Sequence, residues 1–336
     1  MFRSAVAVCL IGCAFLLPGA ARASDTLQDY AKKCDAAVGA TVPDFDCDAG
    51  TEVPETNANG QPYGWGRKCD RPNVLNHECD PGSHFKVLLD NADASIVAHC
   101  RKKIDKASDD GKYGDIAVIQ YSKKNGATCF YQALPGADGT RLSAKVLAPS
   151  KGSAWPWYSP TDTAAIHCGE CHDNGPFIRS PYLAQLKDLA GARDVLPGSH
   201  DGSFNSTQPY AFVGDDFKTW KAYSIEISGN TCNDCHRMGV SNMAFHDVDP
   251  SHPSQGGGGT GRVLGIIATA RTQAQKNPHS ASSPIWMTPG QVTFDQGNAD
   301  DAKAIRECAL KFVANGFDAT KPLPAKCTVK KFAGAF

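Results

Sequence analysis

The strongest constraint on this chain is a five-residue pattern that occurs twice: two cysteines spaced by two residues, with a histidine directly after the second. It reads CGECH at residues 168–172 and CNDCH at residues 232–236. About 60 residues separate the two cysteine pairs, whereas paired zinc ligands are spaced by roughly 15–20. A zinc site formed by the two cysteine pairs would also not account for the histidine that follows each pair. A thioredoxin-like dithiol needs a βαβ context that the first copy lacks, and a disulfide within so short a loop adds little stability.

Covalent haem attachment accounts for every member of the pattern. Two thiols at this spacing each form a thioether with one vinyl group of a haem, and the adjacent histidine becomes the proximal iron ligand. The sequence therefore predicts two covalently bound haem c groups. The predicted attachment and proximal residues are Cys168, Cys171, Cys232, Cys235, His172 and His236.

On these two pentads the chain resembles the dihaem c-type cytochromes. The resemblance covers the pentads and the region 163–336, and it does not extend to residues 24–145. It implies a mainly α, cytochrome c-like dihaem domain. It also implies that the second ring nitrogen of each proximal histidine is hydrogen-bonded, which orients the ring.

A sixth iron ligand needs a lone pair, usually from a methionine sulphur or a second histidine. The proline-stiffened segment 278–289 contains His279 and Met287, which are our tentative distal ligands. His200 and His246 are the alternative candidates for a distal ligand. Three histidines of the N-terminal part are interpreted as ordinary residues: His77, His84 and His99.

Residues 1–23 predict a secretion signal, with a positive charge at Arg3, a short apolar run and a small-x-small cleavage pattern ending at Ala23. Lipoprotein anchoring at Cys13 is a minor alternative. The mature protein is expected in the periplasm or outside the cell, and no transmembrane segment is predicted downstream. Loss of the signal changes the formal net charge from −1 to −3 by removing two arginines, and no basic block predicts nucleic-acid binding.

Eight cysteines remain outside the signal and the pentads, an even number typical of disulfides in an exported protein. They are Cys34, Cys47, Cys69, Cys79, Cys100, Cys129, Cys308 and Cys327. On the order of 100 pairings are possible. We expect sequence neighbours to pair, foremost Cys100 with Cys129 and Cys308 with Cys327.

The overall prediction is a mixed fold, with a β-rich, disulfide-stabilised domain at 24–145, a connector at 146–162 and the mainly α dihaem domain at 163–336. The dipeptide Asn125-Gly126 predicts a hairpin, and the segment before residue 85 is expected to be irregular. Strands are predicted at 85–89, 95–100, 115–121, 128–134, 210–213 and 223–227. Helices are predicted at 181–193, 263–276 and 300–315.

A weaker signal lies in the alternation of Asp44, Asp46 and Asp48, with Glu55 at the twelfth position, as in a calcium loop. Because Ala49 replaces the glycine expected at the sixth position, an acidic turn is the preferred interpretation. Calcium remains the alternative.

Two functions fit the pentads. The first is an exported electron carrier that passes single electrons between periplasmic redox partners. The alternative is an oxidoreductase, peroxidase-like or a small-molecule dehydrogenase, in which one iron keeps an open or displaceable axial position. A third possible function is a sensing module, which ranks last because no residue pattern indicates a ligand for it. The sequence does not identify the redox partner or a substrate.

Overall fold

The computed structural model of the chain describes residues 24–54, 80–103, 110–152, 155–172, 175–177, 182–183, 186, 195–197, 209–218, 220, 223–230, 233, 238–240 and 296–331. The strands are β1 (Phe45–Asp46), β2 (Thr51–Glu52), β3 (His84–Asp90), β4 (Ala94–Arg101), β5 (Asp115–Ser122), β6 (Ala127–Ala133), β7 (Lys145–Val146), β8 (Ala211–Phe212), β9 (Tyr223–Ile227), β10 (Met238–Gly239) and β11 (Cys327–Lys331). The helices are α1 (Leu27–Val38), α2 (Pro160–Ala165), α3 (Cys168–Cys171) and α4 (Gln296–Ala314), with 3-10 turns at Cys47–Ala49 and Asp215–Phe217.

Helix α1 begins and ends at strong local signals. The Thr26 side chain accepts a hydrogen bond from the Asp29 amide at the first turn, and Gly39 ends the helix in the left-handed conformation. One face of the helix is buried, with residues recurring every three or four positions: Leu27, Tyr30, Ala31, Cys34 and Val38. The prediction that the whole region before residue 85 is irregular is therefore wrong.

Six strands form the main sheet in the order β2-β3-β4-β5-β6-β8. Successive strands pair antiparallel, except that β8 lies parallel to β6. The four strands predicted between residues 85 and 134 are confirmed as β3 to β6, and those predicted near 210 and 223 are confirmed as β8 and β9. The short strands β1 and β7 pair with each other at the side.

Both faces of the main sheet are buried. The register aligns Val97 with Ile119 and Ile119 with Phe130, so these side chains share one face, which we call the pentad face. Helix α1 covers the other face, the α1 face, where the Tyr30 ring lies 5.4 Å from that of Tyr131. Burial on both sides explains why the residues of β4 from Ala94 to Cys100 are all buried and do not alternate with exposed ones.

Residues that follow the first pentad cover the pentad face. Tyr182, Leu186 and Leu196 are buried in one cluster with Phe85 and Val97 of the sheet. Further along the chain, β8 extends the sheet beside β6. The predicted mainly α, cytochrome c-like fold of this region is therefore wrong. The described residues form mostly β-sheet with few helices, because this part of the chain covers and extends a sheet instead of packing helix on helix.

A second, three-stranded sheet of order β10-β9-β11 packs against helix α4. Ile305, Cys308 and Phe312 of the helix are buried in a cluster with Ile225 of β9. Gly316, in the left-handed conformation, follows the helix, so the helix predicted at 300–315 is confirmed. The predicted helix at 263–276, and most of the one at 181–193, lie outside the described residues.

The described residues contain three disulfides: Cys34–Cys129, Cys47–Cys100 and Cys308–Cys327. The predicted Cys308–Cys327 bond is confirmed. The predicted Cys100–Cys129 bond is wrong, because β5 lies between the two strands that carry these residues. Two strand spacings place backbones roughly 9–10 Å apart, too far for a disulfide. Cys69 and Cys79 lie outside the described residues.

The alternating aspartates do not converge on one point. Asp44 accepts hydrogen bonds from the Ala148 amide and, at 3.0 Å, from an exposed lysine. Asp46 accepts from the Asp48 amide, and the Asp48 carboxylate accepts from the Tyr113 hydroxyl at 2.6 Å. The glutamate predicted to close the loop lies outside the described residues. Each of the three carboxylates thus has its own protein donor.

Three disulfides are consistent with an extracellular or periplasmic location. Within the described parts of the chain, we find no helix with the length and apolar character that crossing a bilayer requires. The predicted signal at 1–23, including Cys13, lies outside the described residues.

Replacing Gly126 by alanine is expected to lower the free energy of unfolding by about 3 kcal/mol. The residue has φ +81°, and a Cβ there would lie 2.5 Å from the Tyr210 amide nitrogen and closer still to the Pro209 carbonyl carbon. Gly139→Ala is the matched control, because Gly139 also has φ +81° but a Cβ would meet nothing within 4 Å. In denaturant unfolding, Gly139→Ala should lower the free energy of unfolding by about 1 kcal/mol. Equal costs would contradict the close approach of residues 209–210 to the hairpin.

Candidate functional site

Two short helices position the first pentad. Helix α2 starts with Ser159 as its cap and Pro160 as its first residue. His167 then adopts a left-handed conformation with φ 58°, which separates α2 from the single turn α3. The amide of His172 donates to the Cys168 carbonyl at 2.8 Å, so this turn holds the histidine directly beside the cysteine pair.

The ring of His172 is fixed in one tautomer. Its Nδ1 lies 2.9 Å from the Pro176 carbonyl oxygen. Because a carbonyl oxygen only accepts, Nδ1 carries the hydrogen and Nε2 keeps its lone pair. Burial lowers the pKa of His172 to about 4, the hydrogen bond to Pro176 opposes this, and the Arg101 guanidinium lowers it further. The ring is therefore neutral near pH 7 and can donate a lone pair.

The His172 ring packs against Phe130, which belongs to an aromatic cluster with Phe212 and Trp220. The centroids of Phe130 and His172 lie 5.4 Å apart in an edge-to-face arrangement. Phe130 in turn lies 5.3 Å from Trp220 and 6.0 Å from Phe212. The Tyr210 hydroxyl donates to the backbone carbonyl of His172. The pentad is thus seated on the pentad face in an apolar environment that a planar ligand would favour.

Gly169, between the two cysteines, allows this seating. A Cβ at Gly169 would lie 2.7 Å from Cε3 of Trp220, so a larger residue would push α3 away from the sheet. The Trp220 indole nitrogen also donates to the Ala164 carbonyl at 3.0 Å, which ties the ring to α2. Sequence reasoning missed Phe130 and Pro176. A proline four residues after His172 was the only signal near the motif.

The second pentad is described at one residue, Asn233. Its side chain accepts from the Ile227 amide at 3.0 Å and donates to the Ile225 carbonyl at 2.9 Å. Asn230 donates to the Asp301 carbonyl, which joins the turn to α4. These bonds fix the turn after β9. The other predicted site residues lie outside the described residues: Cys232, Cys235, His236, His279, Met287, His200 and His246.

His84 and His99 lie on opposite faces of the main sheet. The Nδ1 of His84 is 2.9 Å from the Tyr113 hydroxyl on the α1 face. His99 lies on the pentad face, only 8% exposed, with ring centroids 6.0 Å from Phe85 and 5.7 Å from Tyr182. Burial lowers the pKa of His99 well below its usual value, helped by a neighbouring arginine. Its Nε2 has no hydrogen-bond partner among the described residues, a condition that costs roughly 1–3 kcal/mol.

A buried ion cluster lies on the same face. Asp115 accepts from Arg101 at 2.7 Å, from Lys103 at 2.5 Å and from Gln132 at 3.0 Å. Burial raises the pKa of Asp115, yet Arg101 and Lys103 outweigh burial and hold it below its usual value. A second buried carboxylate, Asp80, lies beside this cluster and accepts from the Lys103 amide at 2.6 Å.

Replacing Asp115 by asparagine is expected to cost about 3 kcal/mol of stability at pH 7, because it leaves Arg101 and Lys103 without their shared carboxylate. The lowered folded pKa of Asp115 means that its stabilisation is present above the unfolded pKa, near ~4, and is lost as the pH falls through the folded value. Denaturant midpoints measured between neutral and acid pH should therefore converge for the two proteins. Asp138→Asn, at an exposed carboxylate, is the control and should change little. A constant gap down to low pH would contradict the assignment.

No group of three or more His, Cys, Asp or Glu residues in the described parts of the chain could hold a metal ion. Together with the β-rich fold, this finding overturns the resemblance to the dihaem c-type cytochromes. Neither a cytochrome-like fold nor the haem-binding site of such a fold is present in the described residues. The likeness is confined to the two pentads.

The residues of the first pentad nevertheless fit a covalently attached haem. The porphyrin itself supplies the equatorial nitrogen donors, so the protein needs only thiols for attachment and one neutral imidazole. Cys168 is half-buried at the start of α3, Cys171 ends the same turn, and His172 offers the Nε2 lone pair. This donor set involves too few side chains to form a conventional metal cluster.

Comparison with protein-family models, with curated proteins and with solved structures found no match in any of the three. The functional argument therefore rests on the residues of this chain.

Proposed function

We propose that this chain is an exported electron-transfer protein, with haem attached at both pentads to a β-sheet scaffold. The observation that carries the proposal is the state of His172. It follows the cysteine pair directly, is held by the Pro176 carbonyl and keeps a lone pair on Nε2. Cleavage of the signal after Ala23 would release the protein into the periplasm, and the disulfides support such a compartment.

Each residue of the first pentad has a distinct role in this proposal. The thiols of Cys168 and Cys171 each add across a vinyl group: a sulphur–carbon bond forms and the thiol hydrogen moves to the terminal vinyl carbon, so no oxidant is required. His172 binds the iron through Nε2, and the hydrogen bond to Pro176 strengthens the imidazole as a donor. When bound, haem supplies one-electron exchange.

The scaffold contributes rigidity and exclusion of water. Phe130 and Trp220 hold the pentad turn against the sheet, and apolar surroundings favour the less charged, reduced state of an iron site. Cys232, Cys235 and His236 are proposed to hold a second haem in the same manner. Two such groups in one chain allow an electron to enter at one and leave at the other. The partners are other redox proteins or a small redox-active molecule.

Mass analysis of the purified, denatured protein tests the proposal. The protein would be expressed with its signal in a host that attaches haem c, and digested with trypsin. We expect haem mass on both fragments, the one bearing residues 168–172 and the one bearing 232–236. A potentiometric titration of the intact protein should show reversible one-electron steps. Fragments without haem would overturn the proposal.

The spin state separates a carrier from the alternative enzyme. For a carrier, we expect two low-spin haems whose spectra do not change when azide or peroxide is added. A high-spin signal that shifts with azide would instead support an oxidoreductase with an open axial position. Optical and electron paramagnetic resonance (EPR) spectra of the same sample distinguish the two.

A further inference from the structure

His99 takes part in the contact between the main sheet and the residues that cover its pentad face. Its cross-strand partner on β3 is Phe85, and the centroids of the two rings are 6.0 Å apart. The Tyr182 ring lies 5.7 Å from the His99 ring. Tyr182, Leu186 and Leu196, which we call the cover residues, are buried in the same cluster as Phe85. His99 therefore touches both the sheet and its cover.

The surroundings of His99 suit a neutral ring. The side chain is more than nine-tenths buried, and its Nε2 has no hydrogen-bond partner among the described residues. In a protonated imidazole both nitrogens are donors. Nε2 would then be a donor without an acceptor, in a ring that carries a buried positive charge, and both conditions are unfavourable.

The charged groups near His99 act mostly in the same direction. Burial is the largest cause of its lowered pKa, Arg101 and Lys103 lower the pKa further, and Asp115 opposes them. Asp80, which accepts from the Lys103 amide, has a pKa raised by its own burial. The ring of His99 is therefore uncharged near pH 7 while the cover residues are in place.

Separation of the cover residues from the sheet changes this condition. A histidine that reaches water has a pKa of about 6.5. Below that pH, the opened form binds a proton that the closed form excludes. Because the pKa is lowered in the closed form, the closed form has its full stability above about pH 6.5 and loses it as the pH falls towards the lowered value. The loss corresponds to about a factor of ten in the opening equilibrium for each pH unit.

We propose that His99 makes the contact between the pentad face and its cover residues sensitive to acid, so that the fraction of molecules with the cover detached increases as the pH falls. This device does not depend on bound haem. The same face carries Phe130, which contacts the ring of His172. Acid would therefore loosen the packing beside the first pentad without unfolding the sheet.

Hydrogen exchange of the full chain, followed by mass spectrometry and corrected for the intrinsic effect of pH, tests the proposal. Between about pH 7 and about pH 5, where Asp115 stays ionised, the opening constant for the fragment containing Tyr182 and Leu186 should rise about tenfold per unit below the pKa of free histidine. The amides of β5 should stay protected. His99→Leu removes the titrating group and should abolish this rise. His84→Gln, at the histidine of the α1 face, is the matched control and should retain it.

Two results would overturn the proposal. One is an opening constant that does not change with pH in the unaltered protein, and the other is an unchanged rise in His99→Leu, which would assign the effect to another group. If His99→Leu does not fold, the ring signals of His99 in nuclear magnetic resonance spectra of the unaltered protein decide. A ring that stays neutral at about pH 5 in the closed form supports the proposal, and one that protonates near pH 6.5 with the cover in place overturns it.

Discussion

Replacing Cys34 and Cys129 together by alanine is expected to lower the free energy of unfolding by about 4 kcal/mol. The bond joins helix α1 to β6 across 95 residues of sequence. Because the Cys47–Cys100 bond is nested inside this loop, the effective loop shortens to roughly 40 residues, which keeps the entropic contribution near this figure. Both sulphurs are fully buried in the core shared by α1 and the sheet, so their loss also removes packing.

Denaturant unfolding followed by circular dichroism under oxidising conditions measures this effect. The control is Cys308→Ala with Cys327→Ala, which opens a loop of 19 residues in the other core cluster and should cost about 3 kcal/mol. The α1 variant should also expose its amides to hydrogen exchange, while those of α4 stay protected. A loss below about 1 kcal/mol for the first pair would contradict the role assigned to it.

The regular strands of the N-terminal region were predictable because their signals are local. Asn125-Gly126 specifies a tight hairpin, and the flanking runs of branched and aromatic residues need only their immediate neighbours to form β5 and β6. Helix α4 was equally clear, since its buried residues recur on one face and a glycine follows it. Helix α1 was overlooked although Thr26 and Gly39 mark its ends.

The disulfide pairing and the second half of the fold depend on contacts between distant residues. Cys129 bonds to a helix 95 residues earlier, and no local pattern shows which helix covers a sheet face. Likewise, the sequence predicts a helix at 181–193, but no local pattern shows that Tyr182 and Leu186 of this segment cover the pentad face. The prediction of a cytochrome-like domain rests on the two pentads alone, and so short a motif does not determine the surrounding fold.

At the candidate site, the sequence specified Cys168, Cys171 and His172 but not their surroundings. Phe130 belongs to a strand whose sequence gives no sign of a contact with the pentad. Only the strand register and the ring contact show that Phe130 faces His172. The sequence predicts an ordinary role for His99, because this residue lies in the N-terminal domain and outside the predicted dihaem domain. The sheet brings both residues to one face, which a linear pattern cannot reveal.

Replacing Cys168 and Cys171 together by alanine is expected to remove half of the covalently bound haem, with the other half retained on the fragment bearing residues 232–236. The sheet should stay folded, since the disulfides and α1 are untouched. Iron content and intact mass after denaturation measure the effect. Cys168→Ala alone should keep one thioether and therefore most of the haem.

His167→Gln is the matched control, because this exposed residue directly precedes the pentad and is assigned no role in attachment. It should retain both haems. Cys232→Ala with Cys235→Ala should remove the other half and leave the spectrum of the first haem unchanged, which isolates its axial ligands. Full haem content after loss of both Cys168 and Cys171 would show that the first pentad is not an attachment site. Loss of all haem would instead mean that attachment at the second pentad depends on the first.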